Sequence, residues 1–204
     1  MLKKIILFLL TIGNAYGQNS DIKITDETKN NRLSVYALNQ SETDYDVKIT
    51  ITGKNIRQSS AKPRFIRVPA ASKVLLKSLI IERKKQPSYT YELIVNDSLS
   101  RRALKPPAQP IRINPKKQIV LYLSDYCQTC DSILNGLNNS KYIFTTINLT
   151  EKPDVKERMK TYLEGTISSF DTLVNPIISL GGVLHTKIDN YNLLLEELDK
   201  AVKN

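Results

Sequence analysis

Apolar residues recur at every second position through the first half of the chain, and this alternation limits what that half can become. Leu33, Val35 and Ala37 share one parity between Arg32 and Asn39, and Val47, Ile49 and Ile51 interleave with Lys48, Thr50 and Thr52 before Gly53. A period of two puts every second side chain on one face of an extended strand, whereas a helix would scatter these residues around its circumference. The pattern predicts antiparallel strands with one face on a core, continuing at residues 65–68, 73–82 and 89–95. Turn-like clusters separate them at 39–43, 59–63, 84–88 and 96–98. Short strands broken at this interval predict a small all-β sandwich over residues 18–105. The stretch contains no histidine, no cysteine and no glycine-rich phosphate loop, so catalysis is not expected there.

Proline then interrupts the pattern. Pro106, Pro107, Pro110 and Pro115 stand among Arg101, Arg102, Lys105, Lys116 and Lys117, and residues 106–117 are expected as an extended, stiff linker. Ile111-Arg112-Ile113 is expected as a short strand opening the second half, and the main domain of that half is expected over 118–204. There a continuous apolar run at 118–123 has the character of a strand buried in a parallel sheet. Ile133, Leu134 and Leu137 recur at helical spacing after Cys130, with Gly136 and Asn138-Asn139 as the stop. A second strand is expected at 142–149, then a helix from Pro153 to Leu163 with Thr150 as its N-cap. Gly181-Gly182 predicts a tight hairpin between strands at 177–180 and 183–188. Leu193, Leu194, Leu198 and Val202 predict an amphipathic helix over 190–202.

Cys127 and Cys130 are the only cysteines. They come directly after the apolar run, and two intervening residues put them one turn apart if a helix starts there, close enough to cycle between dithiol and disulfide. A bridge closing so short a loop adds little stability compared with one spanning a long loop, which favours exchange over a structural role. At the start of a helix the unpaired amides and the helix dipole favour a thiolate. Cys127 is therefore the expected nucleophile and Cys130, one turn deeper, the resolving thiol. A structural zinc site needs four ligands, and the chain offers two cysteines and one distant histidine, His185. No metal site and no cofactor are expected; the alternative is a Cu(I) carrier built on the thiolates. His185 is expected at a surface or edge-strand position.

The second half resembles the thioredoxin superfamily, and glutaredoxins in particular, on two motifs: Tyr126-Cys127-Gln128-Thr129-Cys130, and Val174-Asn175-Pro176-Ile177 followed by a strand and the Gly181-Gly182 turn. The resemblance implies an α/β thioredoxin-like domain of glutaredoxin type, with element order β-α-β-α-β-β-α. It also implies a cis bond before Pro176, which would face the cysteines, and a substrate surface made by Tyr126, Asn175 and Pro176. The first half resembles, at the level of pattern only, immunoglobulin-like domains of exported bacterial proteins. The fold class expected for the chain is thus an all-β, immunoglobulin-like sandwich followed by an α/β thioredoxin-like domain.

The first residues point to export. Met1-Leu2-Lys3-Lys4 is a basic start, residues 5–12 an apolar run, and Ala15-Tyr16-Gly17 a cleavage site, so residues 1–17 are expected as a signal peptide. The run is too short to span a bilayer, so the mature chain is expected in the periplasm or secreted and not in the membrane. Outside the cytosol a disulfide can persist. Charge is distributed unevenly: residues 18–110 carry 17 Lys and Arg against 9 Asp and Glu, and residues 111–204 carry 11 against 11. The basic first half suits an anionic envelope surface; nucleic acid is not an expected partner. These features together predict an exported thiol–disulfide oxidoreductase acting on protein dithiols and disulfides. The alternative is a non-catalytic envelope binding module in which the second domain is a scaffold.

Overall fold

In the computed structural model, residues 21–59, 61–167, 170 and 173–200 are described. The expected signal peptide lies outside them, as do residues 201–204 at the end of the expected terminal helix. The chain divides into two compact units. One comprises residues up to Asn39 with Thr43–Ala70 and Val74–Ala108; the other comprises Gln40–Glu42, Ala71–Lys73 and the chain from Gln109 onward.

The first unit is built on strands β1 (Ile22–Lys29), β2 (Arg32–Asn39), β3 (Tyr45–Lys54), β4 (Ile56–Arg57), β5 (Ile66–Val68), β6 (Ser72–Ile81) and β7 (Ser88–Asn96). One sheet runs β1-β2-β6-β4, and a second runs β5-β3-β7. Alternation becomes burial: Leu33, Val35 and Ala37 of β2 and Val47, Ile49 and Ile51 of β3 are all buried in one core with Val68, Val74, Leu76, Leu79 and Ile81. In β6 the buried parity changes between Leu76 and Leu79. β1 is absent from the alternation pattern because Ile22 and Ile24 are its only apolar residues. It forms because Asn30 and Asn31, at φ +50° and +58°, make a tight turn that pairs Lys29 with Arg32 and Ile24 with Ala37. Asparagine tolerates the left-handed region better than most residues, and such turns match the twist of a hairpin.

The carboxylate of Asp46 is sealed within β3 and is satisfied from three sides. Arg67 donates from Nε at 2.5 Å and from Nη2 at 3.4 Å, and the Ser100 amide donates at 2.6 Å. Burial pushes the Asp46 pKa up, but the hydrogen bonds from Arg67 and Ser100 outweigh it and hold the group below its ordinary value. Within 106–117, where a linker is expected, Ala108–Pro110 form strand β8, paired with β6. Ile113 is buried and makes an isolated bridge to Tyr142 rather than a strand.

The second unit contains β9 (Ile119–Leu123), α1 (Cys130–Asn138), β10 (Phe144–Asn148), α2 (Pro153–Leu163), β11 (Ile177–Leu180), β12 (Val183–His185) and α3 (Tyr191–Asp199). Its sheet runs β10-β9-β11-β12 and is mixed: β9 and β10 are parallel, while β11 is antiparallel to both β9 and β12. Gly181 and Gly182, at φ +60° and +92°, turn β11 into β12. One cluster joins Ile119, Leu121, Ile178 and Leu180 to Ile133, Leu137, Leu194 and Leu198; another joins Leu149 and Ile177 to Met159, Leu163 and Phe170. Gly136 does not stop α1. The helix runs through it because a Cβ there would lie 2.4 Å from Cγ of Tyr191, so glycine allows α1 and α3 to approach. Thr150 is not the cap of α2, which starts behind Lys152 with no side-chain cap and Pro153 in its first turn. Asn190 caps α3, accepting from the Leu193 amide at 2.9 Å.

The expected fold class, an all-β sandwich followed by an α/β thioredoxin-like domain, is corrected by these observations. The described residues are mostly β, with 43% strand against 17% helix, three helices and several sheets among them, and they do not show a thioredoxin-like α/β fold. The helices are short, at 9, 11 and 9 residues. The apolar run at 118–123 enters a mixed sheet rather than a parallel one. The bond before Pro176 is trans, the isomer an X–Pro bond ordinarily prefers, and not the cis bond implied by the resemblance.

Candidate functional site

β9 delivers the chain to the cysteines. Its last residue, Leu123, pairs with Asn148 of β10 and accepts from the Leu149 amide at 2.9 Å, so the loop that leaves it starts from a held position. The loop turns back on itself where the Cys127 amide donates to the Ser124 carbonyl at 3.2 Å, and α1 begins at Cys130. Cys127 and Cys130 form a disulfide, with Cα atoms 5.6 Å apart. The two cysteines differ in exposure. Cys130 is 7% exposed and belongs to the buried face of α1 with Ile133 and Leu137, whereas Cys127 is half-buried in the loop.

A second segment, 174–176, runs against the dipeptide between the cysteines. The Val174 carbonyl accepts from the Gln128 amide at 2.8 Å and from the Thr129 amide at 3.4 Å. The Thr129 hydroxyl donates to Oδ1 of Asn175 at 3.2 Å. Pro176 is buried and leads directly into β11. The expected substrate residues are therefore placed differently from one another: Tyr126 is 65% exposed beside the pair, Asn175 is turned to Thr129, and Pro176 is inside. Thr129, Val174 and Thr150 are part of the arrangement, although sequence reasoning does not single them out as site residues. Thr150 donates to Asp125 at 2.7 Å, tying the exit of β10 to the loop before Cys127. Only Thr129 carries a local signal, as a hydroxyl residue immediately before a helix start; the other contacts join residues 25 or more positions apart.

A cavity of about 10 Å³ lies beside this loop, lined by Tyr122, Ser124, Leu149 and Asn175 among others, with room for a single water at most. A larger cleft of about 260 Å³ lies at Asn114, Gln118, Ile119 and Phe144. It opens at the start of β9 and β10, whereas the cysteines come after the end of β9, so it does not belong to the disulfide. His185 sits on β12, the edge strand of the sheet, two strands away from β9. Among the described residues no three His, Cys, Asp or Glu side chains gather as a metal cluster. No family model, curated protein or solved structure matches the chain.

Chemically, the site offers one half-buried cysteine in a loop and one buried cysteine at a helix start. An exposed aromatic ring and an exposed Val174 side chain, 46% accessible, stand beside it.

Proposed function

We propose that the chain is an exported thiol–disulfide oxidoreductase that exchanges disulfides with envelope or secreted proteins through Cys127 and Cys130. The observation that carries this reading is the disulfide at the strand-to-helix junction with its two cysteines unequally exposed. In the reduced protein the Cys127 thiolate attacks a partner disulfide, forming a mixed disulfide and releasing one partner thiolate. Cys130 then attacks the Cys127 sulfur, releasing the second partner thiol and restoring the internal bridge. Two electrons and two protons pass to the partner; a dithiol must return them before the next cycle. In reverse, the same steps donate a disulfide. Cys127, the more exposed of the two, is the thiol a partner meets first, and burial shelters Cys130 from a second partner. The Tyr126–Cys130 motif is similar to the redox motif of the thioredoxin superfamily, which supports the chemistry rather than the fold. The amino-terminal pattern of residues 1–17 supports export, and the basic first half suits an anionic envelope surface. Among the described residues no helix is long and apolar enough to cross a membrane.

The test is capture. Cys130→Ser in the full chain is expected to accumulate mixed disulfides with exported proteins, and Cys127→Ser is expected to accumulate none. If Cys130→Ser captured nothing and the wild-type pair stayed oxidised across mild dithiothreitol ratios, exchange would be excluded and the binding-module reading would stand.

A further inference from the structure

We infer that Thr129 and Asn175 form a latch that favours the disulfide form of the cysteine pair, making them positioning residues for the exchange reaction. The inference rests on the exchange reading above and adds the device that biases it. Three hydrogen bonds join the two residues between the cysteines to one short segment: Gln128 and Thr129 amides to the Val174 carbonyl, and the Thr129 hydroxyl to Asn175 Oδ1. Segment 174–176 is itself anchored, because buried Pro176 leads straight into β11, whose residues Ile177–Leu180 are all buried and paired with β9.

Reduction turns one covalent bond into two sulfur atoms in van der Waals contact, which need more room. Cys130 cannot supply it, since it lies in α1 on a face packed with Ile133 and Leu137. Cys127 must therefore move, and whatever part of that movement its backbone takes up is transmitted through Gln128 and Thr129, which are fastened to 174–175. Bonds that hold the dipeptide in the conformation of the bridged form oppose that movement, so they raise the effective concentration of one thiol at the other. The same bonds engage two amides next to Cys127 with a carbonyl oxygen, withdrawing donors from a thiolate at that position. Both effects favour the disulfide.

Of the three bonds, the side-chain bond is the one that substitution can remove without altering the backbone. The measurement is the equilibrium between the full-length protein and dithiothreitol, read by alkylating free thiols across a wide range of reduced-to-oxidised ratios. One dithiothreitol gives two electrons and two protons to the bridge and closes its own cyclic disulfide. Thr129→Val preserves side-chain shape and removes the hydroxyl. It is expected to shift the equilibrium toward the dithiol about threefold to tenfold, or roughly 14–30 mV at 29.6 mV per decade. Asn175→Ala is expected to shift it similarly, and the double variant no further than either alone, because both delete one bond. Thr129→Ser retains the hydroxyl and is expected to match wild type. A purely structural role would lower the melting temperature of Thr129→Val without moving this equilibrium. Wild-type equilibria for both Thr129→Val and Asn175→Ala, or independent additive shifts, would overturn the latch. Capture by Cys130→Ser reports separately on exchange. A latch shift without captured partners upholds the latch and sinks the oxidoreductase reading, and capture without a shift does the opposite.

Discussion

Polar groups in the core of the first unit and polar groups around the cysteine pair are held in opposite ways. Asp46 receives three hydrogen bonds, two of them at 2.5 and 2.6 Å, and Nδ2 of Asn39 reaches the carbonyls of Thr43, Val68 and Pro69 at 2.7–3.2 Å. Both side chains are sealed from water and fasten one strand to the next. At the cysteines, Thr129 reaches Asn175 and Val174 at 3.2 and 3.4 Å, beside a tyrosine that is mostly exposed. The difference separates two uses of a hydrogen bond. A buried group with no water to return to must be bonded fully, and its loss costs stability; a half-exposed loop bonded by single contacts gives up less when it moves.

The comparison is broken most directly at Asp46. Asp46→Ala leaves the Arg67 guanidinium facing a sealed site without its partner, and about 3–5 kcal/mol of stability should be lost in urea unfolding. A loss below about 1 kcal/mol would show that Arg67 finds water instead. Next comes Gly136→Ala, where the new methyl meets the Tyr191 ring. About 1–3 kcal/mol should go, as in other overpacked cores, while the disulfide still forms; unchanged thermal unfolding would mean that α1 and α3 separate freely. Cys130→Ser should cost less, under about 2 kcal/mol, because the bridge closes a very short loop, yet it should abolish turnover of protein disulfides. A stability loss matching that of Asp46→Ala would make the bridge structural.

The smallest effect is in acid. The folded-state pKa of Asp46 lies below its ordinary value, held down by Arg67 and Ser100 against burial. Its contribution is present in full above the unfolded pKa of about 3.9. It is lost as pH falls through the folded value, because the unfolded chain then binds the proton more readily. Stability should therefore decline with acid below about pH 4, with a shallower slope in Asp46→Asn. Equal slopes in the two proteins would remove Asp46 as the titrating group.

Legibility in the sequence tracks the range of the forces involved. β2 and β3 are readable because one-sided burial writes itself into alternate residues, and α1 because Ile133 and Leu137 repeat with a helical turn. β1 is not readable, since its side chains are mostly polar and its pairing is decided by the Asn30-Asn31 turn and by the strand it meets. The cysteine pair is readable as chemistry from two residues alone. Its surroundings are not: Thr129 meets Asn175 across 46 positions, and Thr150 meets Asp125 across 25. Reading Gly136 as a stop fails for a related reason, because the ring that requires a glycine comes from another helix.

By itself the sequence determined which residues could share a face, where the chain had to turn, and that its only two thiols stand close enough to bridge. Those properties depend on neighbours along the chain, so local spacing is enough to specify them. Tertiary structure decided that the sheet after the proline-rich stretch is mixed and that Pro176 is trans. It also decided that Cys130 is buried while Cys127 is only half-buried, and that Val174 and Asn175 hold the two residues between the cysteines. These depend on which distant groups exclude water from one another and satisfy one another's hydrogen bonds, which becomes defined only when the strands have paired.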